Sequence, residues 1–292
     1  MWISNQEALE TCQKVDRAVN LAAMIIKAPL SYYGGKSKLV HLYPAPIHDL
    51  IIEPFAGSAA YSWYHRRRLD GSQREIWLND LDPRTYSIWK FLTSPDACAI
   101  VEAYVPDQVE PGMKVSDFIP PEHPGLVELC RAEANQGTMG EKGVRDVITK
   151  MGAKCWKVKR KALTVIPEVV NWKITSVDWS DLANVNATWF VDSPYNNAAG
   201  AQYRLGATTI NYDPLGWWCL NRKGQVIVCE NLGADWLPFE PFQHSRVSIR
   251  SRYQRSDAKE VMFHRSDRSN ECIESSTKME TSSSLTPTEE SQ

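Results

Sequence analysis

The sequence predicts an α/β fold in which a mostly parallel sheet is covered by helices on both faces. Three observations lead to this prediction. Short apolar strand patterns alternate with helical patterns between residues 50 and 92, similar strand patterns return after residue 174, and two alternating segments follow near residues 246–265. At 292 residues the chain is long enough for one large domain or for a domain with an insert.

The first part of the predicted sheet is a β-α-β-α unit. In chain order, the patterns predict a strand over residues 50–52, a helix over 59–68, a strand over 76–78 and a helix over 83–92. Asp82 followed by Pro83 is typical of a helix N-terminus, because the carboxylate caps the first amides and proline has no amide to satisfy. We therefore predict Asp82 as the cap of the second helix.

The second part of the sheet follows a long interruption that begins at Ser94-Pro95. Strand patterns resume at residues 174–177, 188–191 and 226–229, and "RVSIR" together with "KEVMFHR" predicts a closing hairpin. The predicted divisions are a helical extension over 1–28, a sheet domain formed by 29–95 and 174–266, an insert over 96–173 and a Ser/Thr/Glu-rich disordered tail over 267–292.

The composition favours a cytoplasmic protein. The seven cysteines are scattered and none forms a C-x-x-C pair, which fits free thiols in a reducing compartment better than a disulfide framework or a zinc site. The apolar stretch at 21–26 is too short to span a bilayer. From the cysteine pattern and the short apolar stretch we expect no metal and no membrane partner.

The charge is unevenly distributed along the chain. The formal net charge is −2, but residues 142–161 form a basic run in which Lys and Arg are interleaved with Trp156.

The stretch "IIEPFAGSAA" predicts a ligand-binding loop. A strand ends in Glu53, a tight turn of small residues follows, and a helix then begins close to the sheet. Such a loop exposes backbone amides to a ligand. An ordinary β-α turn is the alternative interpretation.

The stretch "EIWLNDLDP" predicts a nucleoside site. Asp80 ends the second strand, where a carboxylate can accept hydrogen bonds from ribose hydroxyls. Neither of the common phosphate-binding motifs is present, so a nucleoside cofactor without phosphates fits best, and S-adenosylmethionine is the common one. In "SYYGGKSKL" upstream, Gly34 and Gly35 permit close backbone approach and Lys36 can pair with a carboxylate.

The stretch "ATWFVDSPYNN" predicts a buried strand with a carboxylate at its end. Trp189, Phe190 and Val191 read as strand residues, and Asp192 falls where the strand ends, before Ser-Pro-Tyr. Taken alone, this is also the pattern of a turn capped by an aspartate. The other stretches found in the chain decide between these two interpretations.

Four stretches in one order resemble the Dam-like DNA adenine methyltransferases of phages and prophages. They are Y-G-G-K, E-P-F-A-G-S, N-D and, after a variable insert, D-S-P-Y, and the resemblance covers about residues 31–93 and 174–265. It implies a Rossmann-like S-adenosylmethionine-dependent methyltransferase sheet with a small insert for DNA recognition. It also implies a monomer that acts on double-stranded DNA in a bacterial or phage-infected cell, as restriction-modification enzymes do.

The resemblance also assigns roles to residues. For the cofactor it implies Tyr33, Gly34, Gly35, Lys36, Glu53, Pro54, Phe55, Ala56, Gly57, Ser58, Asp80, Asp178 and Trp179. For catalysis it implies Asp192, Ser193, Pro194 and Tyr195, with the carboxylate and a backbone carbonyl accepting the amine protons and the aromatic ring stacking on a flipped base. Ser193 departs from the proline that is usual there. Pro194 still favours an extended residue 193, whose carbonyl remains available.

The basic segments predict contacts with DNA phosphates. The predicted residues are Lys150, Lys154, Lys157, Lys159, Arg160, Lys161 and Arg252. A solvated basic surface is the simpler alternative. Methylation of cytosine N4 or of RNA adenine, and a catalytically inactive DNA-binding relative, also remain open. Methylation at cytosine carbon is disfavoured because no cysteine follows a proline.

Overall fold

A computed structural model describes residues 30, 35–134, 146–197, 200–242, 247–248, 257–258 and 260–266. The predicted helical extension over 1–28 and the predicted disordered tail over 267–292 lie outside these residues. Within the described residues, no helix is long and apolar enough to cross a membrane.

A seven-stranded mixed sheet forms the centre of the described chain. Its strands are β1 (Leu50–Glu53), β2 (Glu75–Asn79), β3 (Lys173–Thr175), β4 (Ala187–Val191), β5 (Gly224–Asn231), β6 (Glu240–Pro241) and β9 (Glu260–Arg265). The strand order is β3-β2-β1-β4-β5-β9-β6, and β1 to β5 are parallel. β9 runs antiparallel between β5 and β6. This order confirms the predicted Rossmann-like α/β fold.

Helices lie between β1 and β2, between β2 and β3, and between β4 and β5. They are α1 (Ala60–His65), α2 (Pro83–Leu92), α3 (Ala97–Tyr104), α4 (Pro124–Ala134), α5 (Lys150–Lys154), α6 (Val158–Val169) and α7 (Tyr212–Leu220). α2 begins where the sequence predicted, since the carboxylate of Asp82 accepts a hydrogen bond from the Arg84 amide at 2.9 Å. α1 is shorter than predicted because Ala59 has a left-handed backbone and the helix ends before Arg66.

The two faces of the sheet bury two separate apolar clusters. In β1, Ile51 faces one cluster and Ile52 the other, and in β4 Phe190 and Trp189 divide in the same way. This alternation follows from the two-residue period of a strand. Helices α1 to α6 contribute to the first cluster and α7 to the second. Because both faces of the sheet are covered, β4 and β5 are almost wholly buried.

The predicted insert packs on the first face. Buried residues of α3, α4 and α6 share the apolar cluster of α1 and α2, and Gly152 of α5 lies against the Ala134 backbone at the end of α4. The division of the chain at residues 96 and 173 stays a prediction.

The predicted closing hairpin is wrong in its pairing. Val247–Ser248 (β7) pairs with Asp257–Ala258 (β8) in a separate two-stranded ribbon, and β9 instead inserts between β5 and β6. The local alternation identified β9 as a strand, but its partner is set by distant residues. The insertion places Glu260, the first residue of β9, opposite Asn231 at the end of β5.

The strand order fixes where a ligand can bind. The chain moves outward from β1 through β2 to β3 and then returns to β4 on the other side of β1, so the order reverses between β1 and β4. In open α/β sheets, ligands bind at the carboxyl ends of the strands beside this reversal. Glu53 ends β1, while Asp80 and Asp192 directly follow β2 and β4.

Candidate active site

A pocket opens at this edge of the sheet. The predicted site residues that line it are Gly35, Lys36, Glu53, Phe55, Ala56, Gly57, Ser58, Asp80, Asp178, Trp179, Asp192 and Pro194. Pro54, Ser193 and Tyr195 lie nearby in the chain but do not line it. Tyr33 and Gly34 lie outside the described residues.

The loop after β1 bends sharply before α1. Gly57 has a left-handed backbone with φ of 45°, which glycine adopts without a steric cost. The Gly57 amide donates to Asp80 Oδ2 at 2.9 Å, and the Ala56 amide donates to the Asn79 carbonyl at 2.9 Å. The end of β2 therefore holds the loop in shape.

Asp80 links two loops at the pocket wall. Its Oδ2 accepts from the Gly57 amide, and its Oδ1 accepts from the Asp82 amide at 2.9 Å. Burial raises the pKa of Asp80 to about 7, and the two amide hydrogen bonds oppose this rise. Each carboxylate oxygen has a second lone pair, so the side chain can still accept from ribose hydroxyls.

Glu53 is a buried carboxyl group at the end of β1. Its Oε1 accepts from the Ser62 amide of α1 at 2.7 Å. Burial raises the pKa of Glu53 to about 8, with Ser62 opposing the rise. The free site therefore holds a largely protonated carboxyl group at neutral pH. A positively charged ligand favours its ionised form.

The chain after β3 is drawn to the pocket by Asn79. The Asn79 side chain donates to the Val177 carbonyl at 2.9 Å and accepts from the Val177 amide at 3.0 Å. Asp178 caps a short 3-10 turn by accepting from the Ser180 amide at 2.9 Å, and Trp179 packs edge-on against Trp218. Asp178 therefore caps this turn and also lines the pocket.

Asp192 forms a buried ion pair with Lys36. Lys36 Nζ lies 2.8 Å from Asp192 Oδ1, and the side chains are 6% and 22% exposed. Burial lowers the pKa of Lys36, but Asp192, Tyr195 and Glu260 raise it well above its ordinary value, so the ammonium stays charged. Burial raises the pKa of Asp192, and Lys36 opposes this rise. The sequence predicted that Lys36 can pair with a carboxylate, and in the structure the carboxylate beside it belongs to Asp192. A contact of Lys36 with the cofactor stays a prediction.

The turn after Asp192 is held at its backbone. Tyr212 of α7 donates its hydroxyl to the Pro194 carbonyl, and the Asn196 amide donates to Glu230 Oε2 at 3.1 Å. Within the described residues, the Ser193 carbonyl accepts no hydrogen bond and the buried Ser193 hydroxyl has no partner. None of the described residues therefore occupies the carbonyl that the resemblance assigns to the target amine.

Tyr195 is anchored beside the turn through its hydroxyl. The hydroxyl donates to Glu260 Oε1 at 3.1 Å, and Lys36 Nζ lies 4.8 Å from the centre of the ring. Glu260 Oε2 also accepts from the Tyr43 hydroxyl at 2.7 Å. Four residues of the site were not predicted, because none of them lies within the four stretches that carry the resemblance: Glu260, Tyr43, Tyr212 and Glu230.

A second set of lining residues follows the turn. It consists of Tyr203, Arg204, Leu205, Thr209 and Ile210. The segment folds tightly over the turn, since a Cβ at Gly200 would lie 1.9 Å from the Tyr195 carbonyl oxygen. Position in the chain directly after D-S-P-Y was the signal that could have identified it.

The predicted DNA-binding residues lie apart from the pocket lining. Lys159 pairs with Glu102 at 3.0 Å and Lys161 with Glu133 at 2.6 Å. Lys150, Lys154, Lys157 and Arg160 are exposed, and Arg252 lies outside the described residues. Trp156 is buried and donates to the Pro106 carbonyl, so it is a core residue.

Comparison with known proteins leaves the family open. No protein-family model matches the sequence, and no curated protein matches it. Among solved structures, the chain is similar to the rRNA methyltransferase AviRa from Streptomyces viridochromogenes, with 14% identity and a TM-score of 0.36 over 78% of this chain and 80% of that chain. A likeness at this level does not indicate a shared reaction or substrate, so function is inferred from the site itself.

Proposed function

We propose that this chain is an S-adenosylmethionine-dependent methyltransferase that acts on the exocyclic N6 amine of adenine in DNA. One observation carries the proposal. Asp192 lines the same pocket as the loop after β1 and Asp80, so a carboxylate faces the space that the nucleoside motifs enclose. The order of the four motifs, which resembles that of the Dam-like enzymes, supports adenine in DNA as the target.

The pocket suits a nucleoside cofactor without phosphates. Among its described lining residues, Lys36 and Arg204 are the only cations, and Lys36 already pairs with Asp192. Asp80 retains lone pairs for ribose hydroxyls, and Leu81, Trp179 and Ile210 provide apolar surface for a base. When bound, the cofactor supplies a methyl group on a positively charged sulfur. The acids Glu53, Asp80 and Asp192 favour that charge.

The chain's own contribution is to orient the target amine. The amine of adenine is a poor nucleophile because its lone pair is delocalised into the ring. Lys36 pairs with Asp192 Oδ1, whereas none of the described residues donates to Oδ2. Oδ2 therefore has both lone pairs available to accept one amine proton, and the Ser193 carbonyl accepts the other. These two acceptors turn the nitrogen lone pair out of the ring. Positioning and electrostatics of this kind account for the rate without a covalent intermediate.

Exposed basic residues support a nucleic-acid substrate. Lys150, Lys154, Lys157 and Arg160 lie within about ten residues of one another on and beside α5 and α6. Positive side chains of this kind bind the phosphate backbone and are sensitive to salt. The two acceptors at the turn suit any exocyclic amine, so the choice of adenine rests on the resemblance of the four motifs to the Dam-like enzymes.

The proposal is tested by mapping modified bases in an expressing host. The wild-type chain and Asp192→Ala are expressed separately in bacteria that lack their own DNA adenine methylation. DNA and RNA are then sequenced with detection of modified bases. We expect N6-methyladenine at one fixed DNA sequence with the wild type and none with the variant. N4-methylcytosine, methylation confined to RNA, or no modification by the folded wild type would each contradict the proposal.

A further inference from the structure

We propose that Glu260 is a positioning residue that holds Lys36 and Tyr195 in place and thereby fixes the turn that carries Asp192. The inference rests on the proposed methyl transfer for its kinetic consequence. Glu260 does not line the pocket, so it acts through the residues that it contacts.

The sheet topology places Glu260 beside the turn. β9 runs antiparallel to β5, so its first residue lies at the edge where β1 to β5 end. Glu260 is 6% exposed and belongs to the interior of the molecule. A carboxylate is costly to bury unless several donors surround it.

Among the described residues, Tyr43, Tyr195 and Lys36 present donors to the Glu260 carboxylate. Tyr43 donates to Oε2 at 2.7 Å, Tyr195 donates to Oε1 at 3.1 Å, and Lys36 Nζ lies 3.7 Å from Oε1. Two of these donors act directly on the turn, because Lys36 pairs with Asp192 and Tyr195 is part of it. Glu260 therefore joins the first and the last residue of D-S-P-Y through one carboxylate.

The sequence of the turn explains why contacts with Glu260 are needed. A proline at position 193 would fix one backbone dihedral angle, and Ser193 does not. Ser193 also lacks a side-chain partner among the described residues. The Glu260 contacts restrain both ends of the turn instead, so the order that the backbone loses at residue 193 is restored by side chains from β9 and from the chain before β1.

Glu260→Gln tests the inference with little change in shape. The variant keeps an acceptor for one hydroxyl and loses the charge that attracts Lys36. Glu168→Gln is the control for the loss of a carboxylate charge, because Glu168 accepts from the cationic side chains of Arg66 and Arg67 and does not line the pocket. Three quantities are measured for each variant: backbone hydrogen exchange of residues 192–197, S-adenosylmethionine affinity by calorimetry, and single-turnover methyl transfer to duplex DNA at saturating cofactor.

We expect Glu260→Gln to accelerate exchange of the turn and to slow methyl transfer by about tenfold each, which is the scale of one charge-assisted hydrogen bond. Cofactor affinity should change by less than about threefold, because Glu260 does not line the pocket. The control should leave exchange and rate at their wild-type values.

Two results would overturn the inference. One is wild-type exchange and rate in Glu260→Gln. The other is a slower rate that is matched by an equal loss of cofactor affinity, since that describes a general structural defect. If the wild type methylates no nucleic acid, the proposed function fails. In that case the exchange measurement alone decides whether Glu260 fixes the turn.

Discussion

Replacing Lys36 with methionine should destabilise the protein strongly. Methionine resembles the lysine stem in length but carries no charge. The substitution leaves the buried carboxylate of Asp192 without the ammonium that lies 2.8 Å away, and it removes the cation near Glu260 as well. Removing one partner of a buried ion pair costs about 3–5 kcal/mol, because the other charge remains in a site of low polarity.

This cost predicts a large fall in the melting temperature. At about 2–4 °C per kcal/mol for chains of this size, Lys36→Met should melt roughly 6–20 °C below the wild type. Thermal and urea unfolding followed by tryptophan fluorescence measure the change. The matched control is Lys161→Met, which breaks a 2.6 Å pair with Glu133 whose side chains are 24% and 14% exposed. Because this control pair is more solvated on the lysine side, its loss should be about 1 kcal/mol.

The pH dependence of the stability of Lys36→Met tests whether Asp192 is the carboxylate left without a partner. Without Lys36, the pKa of Asp192 rises further, so the folded variant takes up a proton that the unfolded chain does not hold. The stability deficit against the wild type should therefore be largest at high pH and should shrink as the pH falls. Lys36→Met/Asp192→Asn should recover most of the loss. A melting temperature of Lys36→Met within about 2 °C of the wild type would refute the buried pair.

Three further predictions concern other residues of the site. Burial raises the pKa of Glu53 from 4.5 to about 8, so the folded state binds the extra proton and wild-type stability should fall as pH rises between these values. Glu53→Gln should reduce that slope in urea unfolding at pH 5 and pH 8, with Asp80, whose pKa is raised to about 7, supplying part of the remainder; an unchanged slope would contradict the assignment. Asp80→Asn should weaken S-adenosylmethionine binding in calorimetry at least about tenfold, through the lost charge-assisted hydrogen bonds; full affinity would exclude Asp80 as a ligand. Tyr212→Phe removes the donor to the Pro194 carbonyl and should cost about 1 kcal/mol of stability. It should also slow single-turnover methyl transfer at unchanged cofactor affinity, and an unaltered rate would show that this contact does not orient the turn.

The sequence predicted the parts of the site that depend on local pattern. Glu53 and Asp192 were placed at strand ends because apolar runs stop there, and Asp82 was placed as a cap because proline follows it. The parallel sheet followed from the alternation of strands and helices. Such features are encoded within a few neighbouring residues.

The remaining parts depend on contacts between distant segments. Glu260 reaches the turn because β9 inserts between β5 and β6, whereas its local alternation equally suits the hairpin that was predicted. Lys36 pairs with Asp192 at the place where the strand order reverses between β1 and β4. From the sequence alone, a lysine after two glycines equally suits a ligand contact. Side-chain partners of this kind follow from topology and burial, which single stretches of sequence do not determine.

Methyl transfer by Asp192 variants tests the central claim most directly. The purified wild type, Asp192→Asn and Asp192→Ala are each incubated with duplex DNA and saturating methyl-labelled S-adenosylmethionine, and the labelled nucleosides are identified by mass spectrometry. Asp192→Asn is the matched control, since it keeps one carbonyl oxygen as an acceptor but loses the negative charge. We predict label in N6-methyladenine with the wild type, a trace with Asp192→Asn and none with Asp192→Ala. Transfer by Asp192→Ala at the wild-type rate would contradict the account, because the strand would then not deliver a catalytic carboxylate.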